Sequence, residues 1–230
     1  AIDPSLLSAL KTACPYLGGT FESSSSNRLL ATSHDPPRLL FAKCTTPVAQ
    51  VLGEAASLSA MDKACSAAGL DVDRGEGLVP KVHTYGKTED GSKAYLCTDY
   101  LDFSGSLSSS AQRTLGKKLA LMHSHGTSPN GKFGFDVPTH CGDTEQDNTW
   151  TESWSDFWAN RRIGEMVKRI NSSYGGDSKL TELEKEMREH VYPLLLDTLK
   201  DIKPAILHGD LWSGNAGQAS KTGEPVIFDP

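Results

Sequence analysis

A chain of 230 residues with a formal net charge of -6, 37% hydrophobic and 23% charged residues has the composition of an ordinary globular protein, long enough for one large domain or two modest lobes. No apolar run approaches the roughly 20 residues of a membrane span, and no Lys/Arg cluster interleaves with aromatics, so neither a membrane nor a nucleic-acid partner is expected. Cys14, Cys44, Cys65, Cys97 and Cys141 are widely spaced with no C-x-x-C pair, and Ala1-Ile2-Asp3-Pro4-Ser5 lacks the character of a secretory signal, so the expectation is reduced thiols in a cytoplasmic protein.

Residues 5–13 predict a short helix, followed by Gly18-Gly19. The serine run at 23–26, ahead of Leu29-Leu30, fits a strand, loop, strand order, with a flexible linker as an equal alternative. Asp35-Pro36-Pro37 marks a turn, and Leu39-Leu40-Phe41-Ala42-Lys43 predicts a short buried strand ending in a Lys. From Pro47 to Gly69 the chain is rich in Ala, Leu and Glu, with Pro at the start and Gly past the end, the punctuation of a helix; Glu54 lies in its second or third turn. Residues 79–85 and 93–99 predict two strands joined through Glu89-Asp90-Gly91-Ser92. A first lobe over residues 1–101, mainly antiparallel sheet with one long helix, is the expectation.

Asp102-Phe103-Ser104-Gly105-Ser106 breaks this pattern and places a hinge near residues 99–105, before a mainly helical second lobe over residues 102–230. Residues 111–125 predict its first helix. His123 and His125 have no evident third ligand, so a helix-end role outweighs a metal site. Trp150, Trp154 and Trp158 recur every four residues and predict three indoles on one helix face, for packing in preference to a pocket wall. Leu180, Leu183, Met187, Val191 and Leu195 continue at helical spacing beside a solvated charged face.

Ile206-Leu207 predicts a short apolar strand leading into His208-Gly209-Asp210, with Asn215 five residues beyond the Asp. That is the Asp-to-Asn interval of a kinase catalytic loop. The chemistry explains it: a carboxylate accepts the proton of an attacking hydroxyl, while an amide oxygen one loop further holds a magnesium ion on nucleotide phosphates. A second strand, Pro225-Val226-Ile227-Phe228, delivers Asp229, a carboxylate suited to Mg2+. A lone D-x-x-x-x-N is more often a polar turn. Here the preceding His, the apolar segment before each Asp, and Lys43 and Glu54 in order upstream outweigh that reading. Lys43 is the candidate phosphate anchor and Glu54 its partner. No G-x-G-x-x-G occurs; Gly18-Gly19 and the serine turn, with Ser23 and Ser24, are the candidate phosphate cover. No G-x-S-x-G, H-E-x-x-H or Walker motif points to another reaction class.

The loop Leu207-His208-Gly209-Asp210-Leu211-Trp212-Ser213-Gly214-Asn215, together with Lys132-Phe133-Gly134-Phe135, Cys141-Gly142 and the segment over 154–162, resembles the fructosamine kinase, or ketosamine-3-kinase, family. That family is related to aminoglycoside phosphotransferases and choline kinases, and the similarity runs over essentially the whole chain from Lys43 onward. The resemblance implies an α+β, protein-kinase-like two-lobe fold that uses ATP and Mg2+. It implies transfer of the γ-phosphate to the sugar 3-hydroxyl of a ketosamine, free or protein-bound, such as a fructosyl-lysine side chain; the product sheds its sugar, which makes the role one of deglycation and repair.

Carried over by position, the resemblance implies Asp210 as base, Asn215 and Asp229 as magnesium ligands, Lys43 as phosphate anchor with Glu54 as its partner, and Trp212 and His208 toward the substrate. It implies Thr98-Asp99-Tyr100-Leu101 as a hinge whose Asp99 and Leu101 backbone groups bind adenine. Two departures stand out. Thr20 stands near the place where many eukaryotic relatives carry a nucleotide-loop Cys. The family also continues for several dozen residues beyond the Asp-Pro that matches Asp229-Pro230, so the expectation is either a sequence trimmed there or a molecule that lacks part of its acceptor site. The alternatives are a kinase for another hydroxylated metabolite of the aminoglycoside or choline type, and a non-catalytic binding protein that keeps the fold.

Overall fold

The computed structural model describes residues 2–70 and 75–230. Contacts divide the chain into two compact units, residues 1–126 with 206–230, and residues 127–205.

In the first unit, helix α1 (Pro4–Ala13) begins at Asp3, whose carboxylate accepts from the Ser5 and Leu6 amides at 2.9 and 3.3 Å, with Pro at the first helical position. Its buried Leu6 and Leu10 lie on one face, and the chain leaves it through a 3₁₀ turn at Pro15–Leu17. Strands β1 (Phe21–Ser25), β2 (Arg28–Ala31), β3 (Arg38–Thr45), β4 (Val82–Lys87) and β5 (Ala94–Asp99) form an antiparallel sheet in the order β1-β2-β3-β5-β4. The linker alternative for the serine run is overturned. Ser23 pairs with Leu29 and Ser25 with Arg28, so most of the run is strand and Ser26-Asn27 form the hairpin tip.

Strand β5, between β3 and β4, is buried on both faces, which explains why it reads as a nearly continuous apolar run. Leu29, Ala31, Leu40, Ala42, Tyr95 and Cys97 pack with α1. Ala94 and Leu96 pack with Val51, Ala55, Leu58 and Met61 of helix α2 (Val48–Ala67). Helix α3 (Ser109–His125) is capped by Ser108, whose hydroxyl accepts from the Ala111 amide at 3.2 Å. His125 bonds back to the Leu121 carbonyl at 3.0 Å, a helix-end contact.

The second unit opens with a small hairpin of β6 (Thr139–Cys141) and β7 (Thr144–Gln146), which the helical expectation for this region missed. Helix α4 (Trp154–Asp156) runs into a π-helical stretch (Phe157–Gly164) and then α5 (Glu165–Tyr174). Helix α6 (Ser178–Glu186), a second π-helical stretch (Met187–Val191) and α7 (Tyr192–Leu195) follow. The single face of three indoles is corrected. Ser153 caps the helix by accepting from the Asp156 amide at 3.0 Å, so Trp150 lies before it and packs instead over Gly134. Trp154 meets Phe133 at 5.4 Å, Trp158 at 5.7 Å and Phe157 at 6.0 Å between ring centroids. It also walls a hollow of about 330 Å³ with Phe133, Leu196 and Ile202.

Back in the first unit, β8 (Ala216–Gln218) and β9 (Pro225–Ile227) form a two-stranded hairpin after a 3₁₀ turn at Ser213–Asn215. The strand expected at Ile206-Leu207 does not form. Ile206 donates to the Gly126 carbonyl at 2.7 Å and Leu207 is exposed, so two apolar residues with one backbone contact do not make a ladder. Buried Lys118 of α3 reaches the hairpin, with Nζ 2.7 Å from the Glu224 carboxylate and 2.6 Å from the Glu76 carbonyl. Among the described residues no helix is long and apolar enough to cross a membrane.

Candidate active site

Every residue singled out for chemistry lies in the first unit. The loop after Ile206 turns at Gly209, whose φ of 90° suits glycine, and brings Asp210 to an exposed position. The 3₁₀ turn then folds Asn215 back into a buried site. Its amide nitrogen lies 3.0 Å from the Asp210 carbonyl, 3.2 Å from the Asp210 carboxylate and 3.2 Å from the Asp229 carbonyl. Antiparallel pairing of β8 with β9 supports this, because Phe228 donates its amide to the Asn215 carbonyl at 3.0 Å. One buried amide thus joins the Asp210 loop to the end of β9, where Asp229 adopts a left-handed φ of 60° and is exposed.

His208 is buried, and backbone occupies both of its ring nitrogens. Nε2 lies 3.1 Å from the Phe228 carbonyl, and Nδ1 accepts from the Asp210 amide at 3.3 Å. Burial lowers its pKa below the usual 6.5, against the opposing pull of Asp210 and Asp229. This geometry gives His208 a role in holding the Asp210 loop and leaves no free ring nitrogen for a substrate. Trp212 is exposed, and its indole is folded over Gly214, where a Cβ would overlap the ring.

Lys43 of β3 and Glu54 of α2 form an ion pair. Burial nevertheless raises the Glu54 pKa, with Lys43 pulling it down and the Asp229 charge pushing it up.

Asp99 and Leu101 stand where the chain leaves β5. The Asp99 carboxylate takes the Arg38 guanidinium at 2.7 Å and His83 Nε2 at 2.8 Å, and Tyr16 Oη lies 2.8 Å from the other His83 nitrogen. Burial pushes the Asp99 pKa upward, but the His83 hydrogen bond and the His83 and Arg38 charges outweigh it and hold the carboxyl below its ordinary value. Ser23 and Ser24 are exposed on β1 and bond within their own hairpin, to the Ser25 and Arg28 carbonyls. They are not brought against Lys43 by any such bond. Sequence reading missed Arg38, His83 and Tyr16, because their pairing follows from strand register across distant positions. Gly214 beneath Trp212 was readable as a small residue beside a large ring.

Among the described residues no three His, Cys, Asp or Glu side chains gather as a metal centre. Magnesium at a nucleotide needs less from the protein, since phosphate and water oxygens supply most of its ligands. The exposed Asp229 carboxylate is a hard-oxygen donor of that kind, whereas Asn215 turns its amide nitrogen to the Asp210 carboxylate and the Asp229 carbonyl.

An antiparallel sheet and long helix on the N-terminal side, helices beyond, and a strand-delivered Asp beside an Asp-Asn loop define a protein-kinase-like α+β chain. The fructosamine kinase family model matches residues 44–230, and the chain belongs to that family. It is 39% identical over 152 residues to an Arabidopsis thaliana protein named protein-ribulosamine 3-kinase, chloroplastic, a match that covers 66% of this chain and 44% of that one. It is 34% identical over 178 residues to the Oryza sativa subsp. japonica protein of the same name, covering 77% and 47%. The chain therefore spans about half the length of the curated relatives it matches. A crystal structure from Haemophilus somnus, provisionally named fructosamine-3-kinase, superposes with a TM-score of 0.66 at 21% identity, over 99% of this chain and 71% of that one. At that identity the likeness shows the fold.

Proposed function

We propose that this chain carries the nucleotide and catalytic residues of an ATP-dependent ketosamine 3-kinase, with residues 1–101 as its nucleotide lobe and residues 102–230 as its catalytic lobe. The observation that carries the reading is the buried Asn215 amide shared between Asp210 and Asp229. A phosphoryl-transfer site must hold its proton acceptor and its cation-binding oxygens in fixed relation, because positioning and charge stabilisation supply most of the rate.

In this reading Asp210 accepts the proton of the sugar 3-hydroxyl as that oxygen attacks the γ-phosphorus in line. His208 fixes the loop that presents Asp210. Lys43, held by Glu54, orients the phosphates, and backbone groups of Asp99 and Leu101 bind adenine. Ser23 and Ser24 sit in the hairpin that covers the phosphates. Trp212 faces the sugar. Asp229 and Asn215 would hold magnesium, which would supply charge neutralisation at the phosphates. The acceptor class rests on family membership and on the relatives' names, whether the sugar is fructose- or ribulose-derived and whether the amine is free or on a protein. The five cysteines carry no disulfide, which suits a reducing compartment such as the cytoplasm.

The test is ADP release with fructosyl-lysine, ribulosyl-lysine, choline and an aminoglycoside as acceptors. Preference for either ketosamine is expected. Preference for choline or the aminoglycoside overturns the acceptor class, and failure to bind Mg-ATP favours a non-catalytic binding protein.

A further inference from the structure

Arg28 of β2 stands opposite Phe41 of β3, and Phe41 stands opposite Thr98 of β5. Side chains directly opposite in antiparallel strands share a face of the sheet, and alternation along β3 adds Lys43 to it. One strand and two residues separate Arg28 from Lys43, on the order of 8 Å between Cα atoms. Lys43 is charge-balanced by Glu54. Among the described residues no carboxylate pairs with Arg28; its guanidinium carbon stands over the Tyr100 ring, 4.6 Å from the centroid.

Tyr100 directly follows Asp99. The Asp99 side chain turns to the opposite face, where Leu40 is its strand partner and Arg38 and His83 secure it. The residue at 99 is thus anchored on one side of the sheet while the ring at 100 is presented, with Arg28, on the other. Lys43 pairs with Leu96, four residues before Tyr100, so about 13 Å of strand separate the cation that meets phosphate from the Tyr100 end of the stack. That is the scale of the distance from a nucleotide's phosphates to its base, which puts the stack at the base end.

We infer that the Arg28–Tyr100 stack is the wall against which the nucleobase is held, with the purine lying on the planar guanidinium. The inference rests on the reading of residues 99–101 as the nucleotide-facing hinge. A guanidinium suits this use because it is planar and weakly hydrated and stacks on rings, which a lysine ammonium does not reproduce.

Calorimetric binding of Mg-ADP and of adenosine to the whole chain tests it. Arg28→Gln, Arg28→Lys and Tyr100→Leu are each expected to weaken both ligands by a similar factor of about five to ten. Tyr100→Phe, which keeps the ring face, is expected to bind like the parent. The double variant Arg28→Gln with Tyr100→Leu should lose little more than either single change, because the two residues act as one surface. Loss confined to Mg-ADP, with adenosine unaffected, would assign Arg28 to phosphate and overturn the base wall. So would unchanged binding of both ligands, or a Lys variant that binds like the parent. Failure of the unsubstituted protein to bind Mg-ADP removes the nucleotide reading itself, an outcome distinct from these.

Discussion

Asn215 offers two amide hydrogens to three oxygens, the Asp210 carbonyl, the Asp210 carboxylate and the Asp229 carbonyl. In a buried site such sharing restricts the geometry, because leaving a buried polar group unmet costs about 1–3 kcal/mol. His208 adds a second restraint. With its proton on Nε2 it donates to Phe228, and Nδ1 is then an acceptor for the Asp210 amide; the imidazolium would present a hydrogen to that amide instead. Its folded-state pKa is depressed below 6.5, so the unfolded chain binds the proton more readily. Stability from neutral His208 is therefore complete above about pH 6.5 and is lost as pH falls through the folded-state value. Melting temperatures recorded between pH 8 and 5 should fall more steeply in the parent protein than in His208→Asn; parallel curves would show that His208 titrates as it does in the unfolded chain.

At the scale of elements, the return of the chain at Ile206 positions the whole loop. Gly126 ends α3, donating to the Met122 carbonyl at 2.7 Å and accepting from the Ile206 amide at 2.7 Å. A Cβ at Gly126 would overlap the Ile206 side chain and come within 2.9 Å of Ala64 Cβ and the Met122 carbonyl. Ile206 stands two residues before His208, so displacement there reaches the Asp210 loop. Gly126→Ala is expected to destabilise by about 1–3 kcal/mol, the usual range for overpacking, as read from urea unfolding. A midpoint equal to the parent's would mean that Ile206 moves aside freely. The Lys118 contact with Glu224 has a related effect at the other end, since it holds the β8–β9 hairpin that carries Asp229.

For the whole molecule, α2 was legible from its punctuation, since Pro47 and Gly69 bracket it. Helices α1 and α3 were expected over residues 5–13 and 111–125, and the structure adds the caps at Asp3 and Ser108 that set where they begin. Strand β1 was half-legible because serine has no strong strand preference, and its state follows from pairing with β2. Trp150 was misplaced because a four-residue interval says nothing about where a cap stops the helix. That Asp210, Asn215 and the Asp229 backbone meet was legible from interval together with the His and apolar segments around them, whereas Arg28, Arg38 and His83 gain their places from register across strands that are distant in sequence.

Asp210, tied through Asn215 to the Asp229 backbone, is the proposed proton acceptor in phosphoryl transfer. Turnover of Asp210→Asn with a ketosamine acceptor, measured beside its affinity for Mg-ATP, tests this most directly. Turnover lower by about 10²- to 10⁴-fold with nucleotide affinity nearly unchanged is expected. Turnover close to the parent's would contradict it.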